Sequence, residues 1–255
     1  ISAGINSSQL LMLSGIGPAA LLEKANIPVI FDNPSVGANL KNHTLNSAIF
    51  TTNRNDKPLP SNDPNALYVG GAFLPDPTPG AAQKRRGVQL VGIGSNGSLN
   101  IVILFLQPKS LGSIKIQSND PLKIVLADEG FLENSYDLEA IKNIYKIYIK
   151  NIAIKLAAID PAYQLISPTL DVIDNDANLV EFIRQNFGHN HHQQSALRMA
   201  PLDEGGVVDY KGRVHGVKDL IVADDSIIPF IVDGNTSAPA YLIGFTIAQQ
   251  LLKED

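Results

Sequence analysis

"VQLVGIGSNGSLNIVILFLQP", Val88 to Pro108, is the stretch whose reading decides the fold. Its centre, Gly92 to Gly97, comes after a strand-like run and matches G-x-G-x-x-G, the outline of a dinucleotide-binding turn. Such a turn must open a helix whose N-terminus meets the pyrophosphate. The residues after Gly97 are instead "SLNIVILFLQP", a β-branched run with no helical face. The glycines therefore read as a hairpin turn between two antiparallel strands.

Residues 53–87, just upstream, are rich in Asn, Asp, Pro and Gly and read as a long irregular excursion of the kind that often forms a lid. Downstream, "GSIKIQS" and "LKIVLAD" are further short strands, with Ile114 and Ile116 alternating with Ser113, Lys115 and Gln117. The clearest helix runs from about Ser135 to Ala158, with Asp137 and Glu139 in its first turn. Leu138, Ile141, Tyr145, Tyr148 and Ile152 line one face of it, Lys142, Lys146 and Lys150 form a solvated opposite face, and Pro161 ends it. A second helix spans about Ala177 to Phe187 and stops at Gly188.

Near the start, Ser7 or Ser8 is placed to cap a helix over "QLLMLS", Pro18 opens "PAALLEKAN", and "IPVIFD" reads as a strand. Near the end, "GGVVDYKGRVHGVKDLIVADDSIIP" reads as a hairpin and a buried strand, and "APAYLIGFTIAQQLL" as the last helix. Ser237 is its expected N-cap, with Ala238 and Pro239 in the first turn.

The 255 residues suffice for a buried core, and 44% hydrophobic with 18% charged residues is ordinary globular composition. A formal net charge of −5 offers no basic field for nucleic acid or anionic lipid. The absence of cysteine excludes disulfides, thiolate ligands and a Cys nucleophile. No apolar run approaches the roughly 18 residues a membrane helix needs. The chain opens without Met in the middle of what reads as a structural element, so the expectation is a fragment or a chain with more sequence upstream.

"HNHHQQSALRM", His189 to Met199, holds three of the five histidines. Metal sites pair His with Cys or carboxylates at set spacing, whereas this segment offers amides, so no metal site is expected. A polar turn remains open, as does a general base near neutral pKa. The start of the last helix presents backbone N–H groups and a positive dipole end suited to an anion. Asp224-Asp225 closes the apolar run "LIVADDS", where acids serve as turn formers or ligand contacts.

Taken in order, these segments resemble the C-terminal half of a glucose–methanol–choline (GMC) family FAD-dependent oxidoreductase. "SAGINSSQLLMLSGIGP" resembles the family's S-A-G-x-I-x-S-P-Q-L-L-x-L-S-G-I-G, and "VGANLKNH" its V-G-x-N-L-x-D-H. "GVKDLIVADDSIIP" with "GNTSAPAYLIGFTIAQQLL" is similar to its closing V-x-D-A-S-x-x-P…G-N-T-N-A-P. His192 to Met199 aligns with H-P-x-G-T-x-R-M, with Gln193 and Gln194 in place of Pro-x and Ser195 in place of Gly.

The resemblance implies a mixed α+β and α/β fold: the C-terminal part of an FAD-binding domain plus a substrate domain whose antiparallel sheet is flanked by helices. It divides the chain into 1–45 and 189–255 as FAD-domain and catalytic-loop parts and 46–188 as the substrate-binding part. It implies oxidation of an alcohol CH–OH group, with proton abstraction by His192, hydride transfer to flavin N5, and Ser237 where a second His or Asn assists. FAD contacts fall on Ser2, Ala3, Gly4, Asp224, Asp225, Asn235, Thr236 and Ala238. The partners implied are a small-molecule alcohol and the N-terminal FAD-binding segment of the same protein, whose βαβ unit this sequence does not contain. An FAD-containing hydroxynitrile lyase of the same fold and a non-catalytic homologue are the alternatives.

Overall fold

A computed structural model of the chain describes residues 1–51, 68–81, 85–95 and 97–253. Their elements, in chain order, begin with α1 (Ile5–Leu13), β1 (Ile16–Gly17), α2 (Ala19–Lys24) and β2 (Phe31–Asp32). Six strands come next: β3 (Thr44–Thr51), β4 (Tyr68–Leu74), β5 (Val88–Ser95), β6 (Ser98–Phe105), β7 (Ser113–Lys115) and β8 (Leu126–Asp128). After them stand α3 (Ser135–Asn143), a π-helical stretch (Ile144–Ile149) and α4 (Lys150–Ile159). β9 (Gln164–Ser167), α5 (Leu170–Asp174), α6 (Asp176–Gln185), β10 (Gly188–His189) and α7 (Ser237–Leu251) complete the order.

Contacts divide the chain into two units: 1–42 with 110–133 and 191–255, and 43–109 with 134–190. The segment 110–133, which the sequence pattern places with the middle of the chain, thus belongs with the two ends. Its backbone explains why: Gly112 and Leu40 exchange N–H···O bonds, and Ile114 N–H donates to Gly37 O at 2.7 Å.

The second unit is built on a six-stranded antiparallel sheet ordered β10-β3-β6-β5-β4, with β9 also on the β3 edge. β5 and β6 pair in register from Val88↔Phe105 to Ser95↔Ser98, with Gly97 in the turn at φ 70°. The G-x-G-x-x-G is therefore a hairpin and opens no helix. β4 corrects the excursion expected over 53–87, whose residues 53–67 and 82–84 lie outside the described residues. Gly70 and Gly71 interrupt the β-branched pattern there, yet the register onto β5 holds past a bulge at Tyr68/Gly70.

One sheet face, with Ala48, Phe50, Ile103, Phe105, Val88 and Leu90, is buried. Ile141, Ile144, Tyr145 and Ile149 of the long helical run are buried too, as are Leu179 and Ile183 of α6. Tyr145 donates its hydroxyl to Ser47 O at 2.9 Å, and its ring meets Phe182 edge-on at 5.9 Å. The three lysines expected to be solvated are paired: Lys142 and Lys146 with Asp176, Lys150 with Asp174. Exposed pairs of this kind are screened and worth little. Each buried apolar side chain contributes about 1.5–3 kcal/mol, so burial rather than charge stabilises this helix.

The first unit has little regular structure and a core drawn from distant segments: Leu11, Met12, Val36, Ile116, Leu197, Val208, Val222, Ile227 and Ile247. β1 and β2 pair in parallel, and β7 and β8 antiparallel. α1 starts at Ile5 after Gly4 (φ 59°), so neither Ser7 nor Ser8 is its cap. The hairpin and strand expected over 205–229 reduce to isolated bridges such as Val208↔Val214 and Arg213↔Ile221, and a 3₁₀ turn at Asp225–Ile227. Gly37 (φ 78°) is required where it stands: a Cβ would lie 2.3 Å from Ile114 O. Among the described residues, no helix is long and apolar enough to cross a membrane.

Candidate active site

The segment 194–199 is held from two sides by backbone bonds. Gln194 exchanges both N–H···O bonds with Lys41 at 2.9 Å, and Gly37 donates to Ala196 O at 2.9 Å. Ser195, Leu197 and Met199 donate to Asp225, Ser226 and Ile227 at 3.1, 2.8 and 2.9 Å. His192 therefore sits two residues before a pinned segment. Left-handed residues flank it, His191 at φ 54° and Ser195 at φ 71°. A non-glycine residue in that conformation costs on the order of 1–2 kcal/mol, which is the physical reason a glycine suits position 195.

His192 is buried, and its N–H donates to Asn42 Oδ1 at 3.0 Å. Its Nε2 lies 3.2 Å from Asn235 Nδ2. The amide nitrogen can only donate, so Nε2 accepts and the neutral ring carries its proton on Nδ1. Burial, and secondarily the neighbouring His191, push the imidazolium pKa below the ordinary histidine value. The site thus holds a neutral imidazole with its base nitrogen turned toward an amide. His189 lies in β10 opposite Thr44, and His191 is exposed.

Ser237, the partner expected for His192, occupies the first position of α7 and is exposed. Asn235 Nδ2 is within hydrogen-bond distance of the His192 ring. Nor is Ser237 the N-cap: Thr236 precedes the helix, and no side chain caps it. The Thr236 hydroxyl instead donates to Asp225. Burial raises the Asp225 carboxyl pKa, the Thr236 bond opposes that rise, and nearby Asp224 adds to it.

The remaining expected residues divide in two. Ser2, Ala3 and Gly4 lie along Ala223 and Asp224: Ser2 Oγ donates to Ala223 O at 3.0 Å, and Ala3 and Gly4 donate to Asp224 Oδ2 at 3.0 and 3.1 Å. Ser7 Oγ reaches the same oxygen, and Ser226 N–H reaches Oδ1 at 2.8 Å. Three of these donors meet Oδ2 and one meets Oδ1. Asp224 is therefore a staple between the first residues of the chain and the turn at Asp225–Ile227.

Asp225 Oδ1, in contrast, is buried with no protein donor. The uncapped start of α7, with Ser237 and Ala238 exposed, lies beside it in the chain of bonds through Thr236. This donor-and-acceptor set fits a flavin, whose pyrimidine edge alternates carbonyl acceptors with an N–H donor and whose ribityl chain carries hydroxyls. Gly4 fits the same purpose, with a left-handed φ and open space where a Cβ would be.

Sequence reasoning missed Asn42, Gln194 and the Asn235–His192 contact. Asn42 was marked by standing at the Asp of V-G-x-N-L-x-D-H. The other two carry no local signal, because each links the 192–194 turn to residues 232–235, about forty positions along the chain.

A family model described as GMC oxidoreductase matches residues 108–244. An oxygen-dependent choline dehydrogenase of Pseudomonas fluorescens (strain SBW25) is 30% identical over 98% of this chain and 48% of its own. A glucose dehydrogenase (FAD, quinone) of Drosophila pseudoobscura pseudoobscura is 31% identical over 95% of this chain and 45% of its own. This chain thus spans about half the length of the curated relatives it matches. A formate oxidase structure superposes with TM-score 0.87 at 22% identity, over 99% of this chain and 53% of that one. A fungal aryl-alcohol oxidase does so with TM-score 0.86 at 22% identity, over 100% and 54%. At these identities the structures share the fold.

Proposed function

This chain belongs to the GMC oxidoreductase family, and on that premise we propose that it carries the proton-abstracting part of an FAD-dependent enzyme that oxidises the CH–OH group of an alcohol. The observation that carries the reading is the neutral, buried His192 with Nε2 accepting from Asn235 at 3.2 Å. A substrate hydroxyl would take the place of the Asn235 amide as donor to Nε2, whose single lone pair that amide occupies, and would accept from the displaced amide N–H. Nε2 takes the hydroxyl proton as the carbinol carbon gives up its hydrogen with two electrons, and the amide stabilises the oxygen as negative charge builds on it. Bound FAD would supply acceptance of those two electrons and that hydrogen.

The chain's own residues divide the remaining work. Ser237 and Ala238 at the uncapped start of α7 would face the flavin pyrimidine, where backbone N–H groups and the helix dipole favour negative charge. Asp225, held by Thr236, offers a buried acceptor, and Ser2 to Gly4 offer backbone without side-chain bulk. Ser237 is a donor to substrate or flavin in this scheme, and Asn235 takes the place beside His192. The rest of the FAD-binding part comes from another stretch of the same protein. Two observations support this: the relatives are about twice as long, and Tyr241, Leu242 and Phe245 of α7 are 80%, 66% and 67% exposed.

Anaerobic mixing of the intact, flavin-loaded protein with a panel of alcohols tests the reading. Bleaching of the oxidised flavin is expected with at least one. No bleaching, together with cyanide release from mandelonitrile, would replace it with the lyase.

A further inference from the structure

Gln194 is 1% exposed, and its side-chain amide reaches two backbone groups on different loops. Nε2 donates to His192 O at 3.1 Å, and Oε1 accepts from Val232 N–H at 3.1 Å. Val232 lies in the loop that presents Asn235, three residues before it. The backbone of Gln194 is fixed independently, through both bonds to Lys41. One amide, on a pinned backbone, therefore holds the loop of the base with one end and the loop of its partner with the other.

We propose that Gln194 is a positioning residue of the reaction, the clamp that sets the His192–Asn235 separation. The inference rests on His192 being the base. Three properties carry it, and a surface glutamine would lack all of them. The amide is buried, so its bonds are not exchanged with water at little cost. Both ends are used, donor on one loop and acceptor on the other, so no other side chain of this length substitutes for it. The two loops carry the two groups that meet at 3.2 Å. Misplacing a base and an orienting donor by about 1 Å costs roughly a hundredfold in rate while leaving binding largely intact. Nothing in the clamp touches the substrate, so its signature is a loss of turnover without a matching loss of affinity.

The test uses the intact, flavin-loaded protein with Gln194→Met, which keeps side-chain length and removes both hydrogen bonds. The expected result is a fall in kcat of about 10- to 100-fold with KM within about twofold. The ¹⁵N resonances of the His192 imidazole should also move from a single Nδ1–H tautomer toward the averaged values of a free ring. His192→Ala, measured alongside, separates the two readings. Full activity in His192→Ala removes the base itself. An inactive His192→Ala beside a Gln194→Met variant with unchanged kcat and unchanged imidazole resonances overturns the clamp alone. Parallel losses in kcat, KM and melting temperature would also overturn it, as the mark of a merely structural residue. If Gln194→Met does not fold, Gln194→Glu carries the same test. It keeps an acceptor for Val232 and sets an oxygen against His192 O, so an intermediate loss of kcat is expected and wild-type values contradict the clamp.

Discussion

The two units of this chain are held together by opposite means. The sheet unit closes on ladders between β3, β6, β5 and β4 and on a buried apolar face, with strands β5 and β6 adjacent in sequence. The other unit closes on side chains that grip backbone across the length of the chain. Asp224 holds Ala3 from 221 residues away, and Asn42 holds His192 from 150. Ladders tolerate change at one position because the neighbouring bonds remain. A staple made by one carboxylate or one amide does not, since removing it leaves several buried donors unpaired at about 1–3 kcal/mol each. The candidate chemistry sits in the stapled unit, where single polar side chains fix geometry.

That contrast can be broken by substitution. The largest effect is expected from His192→Ala, about 10²- to 10⁴-fold in kcat/KM for the alcohol with little change in melting temperature; steady-state kinetics and a thermal melt check both halves. Asp224→Ala should lower stability by about 2 kcal/mol or more, since the buried Ser7 hydroxyl and Ser226 N–H and the part-buried Gly4 N–H lose their acceptor, while Ala3 N–H keeps Ser7 Oγ. A denaturant titration showing less than about 1 kcal/mol would mean the staple is redundant. Asn235→Ala is expected to cost roughly tenfold in kcat and Ser237→Ala clearly less, in line with the loss of one hydrogen bond at the base. The reverse order would return the partner role to Ser237. In the ladder unit, Tyr145→Phe removes the bond to Ser47 O yet keeps the buried ring, so about 1 kcal/mol is expected, read by the same titration.

The same contrast explains what the sequence could show. The Val88–Phe105 hairpin, the alternation at Ile114 and Ile116, and the helix from Ser135 were legible because period and turn chemistry are local signals. β4 was hidden by its glycines, and "LIVAD" misled because an apolar β-branched run can pair through single bridges without extending into a ladder. The paired lysines were read as solvated because Asp174 and Asp176 meet them only in the folded unit. At the site, His192 and the start of α7 could be located through motifs. The cap was misplaced by one residue because Thr236 spends its hydroxyl on Asp225. The Asn235 and Gln194 contacts depend on loops meeting in space, which no spacing encodes.

The central claim is that a neutral histidine, kept neutral by burial, takes the hydroxyl proton. The pH dependence of anaerobic flavin reduction by a reactive alcohol tests it most directly. An exposed histidine is half protonated near its ordinary value of 6.5, and the base form dominates only above that. Because burial lowers the His192 value, the reduction rate should reach its half-maximum below pH 6.5. A rate already halved at or above pH 6.5, or one with no acid limb that His192→Ala removes, would contradict the account.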